Sequence, residues 1–208
     1  MKTIPNMRHL FGGGGVDLPN VSHCITENEV HYNPYIPPFF CKLTLNDGSV
    51  VELEGNGELT RAMVGDAYGY RLISAEIGEL CTSIGEETFK NCNGLTSVII
   101  PNSVTTIGQQ AFTSCNGLTS VIIPNSVTSI GNCAFNYSHN LVSVTIGNGV
   151  TSISYSAFQG CSSLSSVTIG SGVTSIGDYA FTSCSSLTSV TIPNRVTNIG
   201  QSAFYGCI

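Results

Sequence analysis

The chain has 208 residues, of which 10% are charged, against roughly a quarter in ordinary globular proteins, and its net charge is −6. Twelve of the thirteen acidic and six of the seven basic residues fall in residues 1–90, so only Asp178 and Arg195 are charged beyond them. No basic stripe marks a nucleic-acid surface, and no run of 18 apolar residues marks a membrane span.

Residues 1–38 show no period and read as an irregular or mobile N-terminal arm. Gly12 to Gly15 has no side chains to pack and reads as a flexible linker. Val16-Asp17 comes next, where a phosphate loop would need Lys and Ser or Thr. Asn33-Pro34 and Pro37-Pro38 favour extended backbone. Met1 to His9 carries charge but no apolar run behind it, so no export signal is recognised. His9, His23, Cys24 and His31 match no metal-ligand spacing and read as scattered surface residues. Two glycosylation sequons are present, Asn20-Val21-Ser22 and Asn136-Tyr137-Ser138.

Residues 39–71 read as a hairpin and capping segment. Phe40 to Leu45 alternates, Asn46-Asp47-Gly48 turns, and Val50 to Glu54 returns. Asp-Gly between two such runs predicts a tight hairpin with positive φ at both turn positions. The hairpin is expected to cover the open end of a repeat array that begins near Leu72. Glu58 to Val64 is compatible with a short helix.

From about Leu72 to the end a 23-residue period dominates. Leu95 to Ile100, Leu118 to Ile123, Leu141 to Ile146, Leu164 to Ile169 and Leu187 to Ile192 repeat one phrase, and Phe89, Phe112, Phe135, Phe158, Phe181 and Phe204 keep the same step. A period of this size is the signature of a solenoid. In each coil the phrase predicts a strand with Val121 and Ile123 inward and Ser120 and Ile122 outward. Pro124-Asn125 ends that strand, and Gly147-Asn148 and Gly170-Ser171 are read as doing the same elsewhere. A second short extended piece comes after it, with Val127 and Ile130 inward. Gly131 then permits a bend into a short helical or 3₁₀ turn carrying Ala134 and Phe135. Leu72, Ala75 and Ile77 fall in register as a degenerate first coil. The expected fold is a mostly β solenoid of parallel strands with a hairpin cap.

The phrase Ile-Pro-Asn-Ser-Val-Thr-Ser-Ile-Gly-x-x-Ala-Phe-x-x-Ser-x-x-Leu at 123–141 resembles the BspA-like leucine-rich repeats, with Ser138 where the other coils have Cys. The resemblance covers about 72–208. It implies a right-handed solenoid in surface or secreted proteins that bind host or matrix proteins, and no catalytic activity.

Cys92, Cys115, Cys161, Cys184 and Cys207 share one repeat position and read as buried, reduced thiols; no C-x-x-C pair suggests a metal. No nucleophile–base arrangement stands out, and no cofactor is implied. The unusual surface is the outward column of the main strand, Ser97/Ile99, Ser120/Ile122, Ser143/Thr145, Ser166/Thr168 and Ser189/Thr191. It is expected to bind a protein or glycan partner as an extended face, the alternative being a structural spacer or assembly subunit. The last coil offers Val196, Ile199 and Phe204 with no further repeat after it, so association end to end through 187–208 is a further expectation.

Overall fold

The structure, a computed structural model, describes residues 40–207. The arm read at 1–38, with its glycine run, histidines, Cys24 and the Asn20 sequon, lies outside these residues.

The hairpin forms where alternation places it. Strands β1 (Cys41–Leu45) and β2 (Val50–Leu53) pair antiparallel, with Cys41 opposite Leu53 and Thr44 opposite Val50. Its turn is longer than the expected two-residue type. Gly48 N–H donates to Leu45 C=O at 2.9 Å, and only Gly48 takes positive φ, at 81°. Asp47 accepts from the Ser49 amide at 3.0 Å and pairs with Arg71, which fixes the loop without a second left-handed residue.

Residues 57–71 differ from the helical expectation. Gly57–Leu59 forms β3, hydrogen-bonded turns come next, and helix is limited to the single turn α1 (Gly65–Tyr68). Leu59 is fully buried in the core while Glu58 beside it is exposed, the alternation of a strand. Beyond α1 lie β4 (Leu72–Ile77) and β5 (Cys81–Ile84). β1 pairs antiparallel with β4, and β3 pairs parallel with β5, so the capping segment supplies a neighbour to both strands of the first coil. An end coil without such a neighbour would expose its apolar columns.

The coils then repeat. Their main strands are β6 (Ser97–Ile99), β8 (Ser120–Ile123), β10 (Ser143–Ile146) and β12 (Ser166–Thr168). Their short strands are β7 (Thr106–Ile107), β9 (Ser129–Ile130), β11 (Ser152–Ile153), β13 (Ser175–Ile176) and β14 (Asn198–Ile199). Pairing keeps the 23-residue register, as Val121 on Val144 and Ile153 on Ile176 show. The phrase at 187–192 forms no strand.

The third side of each coil is not helical. Two columns lie in the left-handed region, Glu87, Gln110, Cys133, Ser156, Tyr179 and Ser202 in one, and Asn91, Ser114, Tyr137, Gly160, Ser183 and Gly206 in the other. A helix cannot hold residues of that conformation at this spacing. The amides between them bond coil to coil instead. Phe112 N–H donates to Ala134 C=O at 2.6 Å, and Phe135, Phe158 and Phe181 donate to Ala157, Ala180 and Ala203 at 2.8 Å.

Inside, like stacks on like. The Val104, Val127, Val150 and Val173 column, the Ile107, Ile130, Ile153 and Ile176 column and the Ala111 to Ala180 column are buried. The Phe rings form a continuous stack with centroids 4.9–5.3 Å apart and planes within 7°. Among the described residues no helix is long and apolar enough to cross a membrane.

Candidate functional site

The main strands expose one side because their pleat sends alternate residues out. Val121 and Ile123 are buried while Ile122 is 69% exposed, and Ile99 on the preceding coil is 58% exposed. Ser97, Ser120, Thr145, Ser166, Thr168, Ser189 and Thr191 are also exposed, and Ser143 is half-buried. All ten expected face residues therefore lie outward or partly so, although Ser189 and Thr191 do so without strand pairing.

The face is not one continuous sheet. β2, β1, β4 and β6 form one sheet and β8, β10 and β12 another, with no ladder between β6 and β8. A second opening separates β12 from 187–192. The residue after each strand explains this. A Cβ on Gly147 would lie 2.5 Å from Pro124 O, and one on Gly170 would lie 2.3 Å from Gly147 O. Glycine at these two places lets a coil settle onto its predecessor, and there the ladder is closed. Pro124 and Pro193 occupy the same slot in the coils that stand off. Their rings fill the space and they have no N–H to donate. Pro and Gly thus do not do the same job here, contrary to the sequence reading. In the Pro101 coil the ladder is kept from Ser74/Ser97 to Glu76/Ile99 and opens beyond it.

The openings are grooves. One of 290 Å³ runs between β6 and β8, lined by Val98, Ile99, Ile100 and Ile122. A second of 340 Å³ lies toward the hairpin, between Lys42, Val50, Glu76 and Ile99, and a third of 270 Å³ adjoins Pro101 with Glu76, Glu79 and Ile99. A fourth, 360 Å³, sits at the other opening beside Thr168, Thr191 and Pro193. Val98 and Val167, bordering the two breaks, are half-buried where Val121 and Val144 are closed over. Sequence reasoning missed these grooves, although the Pro/Gly alternation was a signal for the two at the breaks.

The candidate chemical residues are spent on structure. Cys115, Cys161, Cys184 and Cys207 each donate Sγ–H to the carbonyl of the Phe 26 residues back, at 3.0–3.2 Å. Ser138 makes the same bond to Phe112 O at 2.9 Å, which explains why Ser replaces Cys there. Burial pushes the thiols up, Cys92 to about 11 and Cys184 to about 12, with Cys115 and Cys161 well above the ordinary value. A thiol so disfavoured as thiolate is a poor nucleophile or metal ligand. His139 Nδ1 lies 2.9 Å from Gly160 O. Asn136 and Ser138 are 8% and 0% exposed, so this sequon is closed to an acceptor reaction in the folded chain.

A family model described as BspA type leucine rich repeat region matches residues 71–208 in six copies. The crystal structure of a leucine rich cell surface protein from Faecalibacterium prausnitzii A2-165 matches with a TM-score of 0.64 at 36% identity, covering 79% of this chain and 43% of that one. The chain therefore spans less than half the length of that protein. The T. pallidum leucine rich repeat protein matches with a TM-score of 0.51 at 25% identity, over 65% of this chain and 72% of that one. No curated protein matches the chain.

Proposed function

The chain belongs to the BspA-type leucine-rich repeat family, and from that premise we propose that it is a non-enzymatic module that binds a partner protein through its strand face at a cell surface. The observation that carries this reading is the pair Ile99 and Ile122, 58% and 69% exposed on neighbouring coils and flanking a groove. Strand propensity alone does not require isoleucine there, since Thr145 and Thr168 fill the same column in later coils. A spacer needs the inward columns only, and has no use for apolar side chains in water. Exposed apolar surface rimmed by hydroxyls is instead the usual mark of a protein interface. The relative from F. prausnitzii is described as a cell surface protein, which supports the location. Catalysis by the repeat column is disfavoured because Cys115, Ser138, Cys161 and Cys184 are engaged with backbone carbonyls.

The test replaces Ser143, Thr145, Ser166 and Thr168 by Lys, which puts four charges on the face without touching the inward columns. Wild type and variant are compared by biolayer interferometry against a panel of purified extracellular-matrix proteins, with a glycan array in parallel. The expected result is binding to a protein that the variant loses while its circular dichroism is unchanged. Affinity kept by the variant, or binding seen only on the glycan array, would overturn the reading.

A further inference from the structure

The strand face is uneven in a way that selects its partner. Three of its grooves, of 340, 290 and 270 Å³, share Ile99. Each sits at or below the small end of the range for small-molecule pockets, about 300–1,000 Å³. They suit single side chains of an extended segment laid across the strands. Ile122 and Val50, 69% and 58% exposed, bound the same area on either side.

The net charge around this area is negative. Lys42 stands opposite Glu52 on β2 and opposite Glu76 on β4, and it pairs with Glu52 at 3.4 Å. Glu79 adds a third carboxylate beside Pro101. Glu76 and Glu79 are both exposed. One cation therefore faces three carboxylates around an apolar floor. The wider molecule reinforces this, since residues 40–90 hold nine carboxylates and four cations, while 91–207 hold one of each. The acidic field is thus concentrated at the end of the face where the grooves converge.

We propose that the groove system around Ile99 is the anchoring subsite of the face, and that it takes an extended protein segment in which an aliphatic or aromatic side chain is flanked by Lys or Arg. The apolar side chain enters between β6 and β8, against Ile99 and Ile122. The flanking cations meet Glu76 and Glu79, their methylene stems lying over the apolar floor. This rests on the strand-face reading and narrows it to one end and one partner chemistry. Because these carboxylates are exposed, binding weakens as salt rises.

The experiment pans a phage library displaying random 12-residue peptides on the immobilised full chain. The same library is panned on Ile99→Thr/Ile122→Thr, which places in two coils the residue that later coils already carry, and on Thr145→Lys/Thr168→Lys. The proposal expects enriched peptides that are net basic with at least one large apolar residue. Synthesised, they bind Ile99→Thr/Ile122→Thr about tenfold or more weaker than wild type by fluorescence anisotropy. Acidic or neutral enriched peptides, peptides bound equally by Ile99→Thr/Ile122→Thr, or no enrichment over the starting library would overturn it. Binders that ignore Ile99→Thr/Ile122→Thr but fail on Thr145→Lys/Thr168→Lys would overturn the subsite and leave the strand-face reading standing. Binders indifferent to both variants would overturn both.

Discussion

At the scale of single residues, two of the core columns make separate predictions. Phe158 lies between Phe135 and Phe181 with ring centroids 5.3 Å away on each side, and it is fully buried. Phe158→Ala opens a cavity that stacked coils cannot collapse to fill without shifting their ladders. The expected cost is about 3–5 kcal/mol in urea unfolding, and an unchanged midpoint would contradict the stacking. The cysteine column makes a different prediction, about pH. Cys41 is pushed up to about 12 by burial, with Cys81 and Glu76 beside it adding to the effect, and Cys92, Cys115, Cys161 and Cys184 are raised in the same direction. A raised thiol pKa means that the folded chain keeps protons the unfolded chain releases above its own value of about 8.5. Stability from this source is therefore complete below about pH 8.5 and falls as pH climbs toward the folded values. Melting temperatures in the presence of reductant should be flat from about pH 6 to about 8 and drop above about 9. A profile that stayed flat up to about pH 10.5 would mean the thiols are not buried as described.

At the scale of elements, the short-strand ladders close where glycine follows the strand. A Cβ on Gly131 would meet Gln109 N at 2.5 Å, so this glycine serves close approach of one coil to the next rather than the bend read from the sequence. Ser154 takes the equivalent place one coil later, and there β9 and β11 fall into separate sheets. Its Oγ reaches Ile130 O at 2.5 Å, satisfying the carbonyl that a backbone amide serves elsewhere, as Gly131 N–H serves Ile107 O at 2.8 Å. A serine side chain in place of the glycine hydrogen accompanies the loss of that ladder. Gly147→Ala should therefore split β8 from β10 and destabilise the chain by about 1–3 kcal/mol, the usual cost of overpacking. Hydrogen exchange should show the loss of protection at 143–146 first; wild-type protection there would mean that the coils yield without cost.

At the scale of the whole molecule, cohesion is apolar and electrostatics is confined to one end. The ion pairs Lys42–Glu52, Arg61–Asp66, Arg71–Asp47 and Lys90–Glu87 lie between residues 42 and 90, and their side chains are partly exposed. Exposed pairs of this kind contribute about 0–1 kcal/mol each and are screened by salt. The remaining coils have almost nothing to screen. The melting temperature should accordingly be insensitive to sodium chloride between low and physiological salt. Partner binding at the acidic end should not be. A melting temperature that rose or fell steeply with salt would show that charge, not burial, sets the stability.

The 23-residue period determined the solenoid, because each inward position meets only its own copies in the coils above and below. Val104 through Val173, Ile107 through Ile176 and the Phe column could be assigned from spacing alone, and so could the outward face with Ile99 and Ile122. The hairpin came from alternation around Asn46-Asp47-Gly48, a strictly local signal. The left-handed columns at Cys133 and Tyr137 were not legible, because they answer to hydrogen bonds between coils and few of them are glycine. The division of the face into separate sheets was not legible either. Pro124 and Gly147 both look like strand terminators in one dimension. Only when one coil lies on another does it matter that a Cβ at Gly147 would meet Pro124 O, while Pro124 itself has no proton to offer. The groove between Ile99 and Ile122 was decided by that stacking.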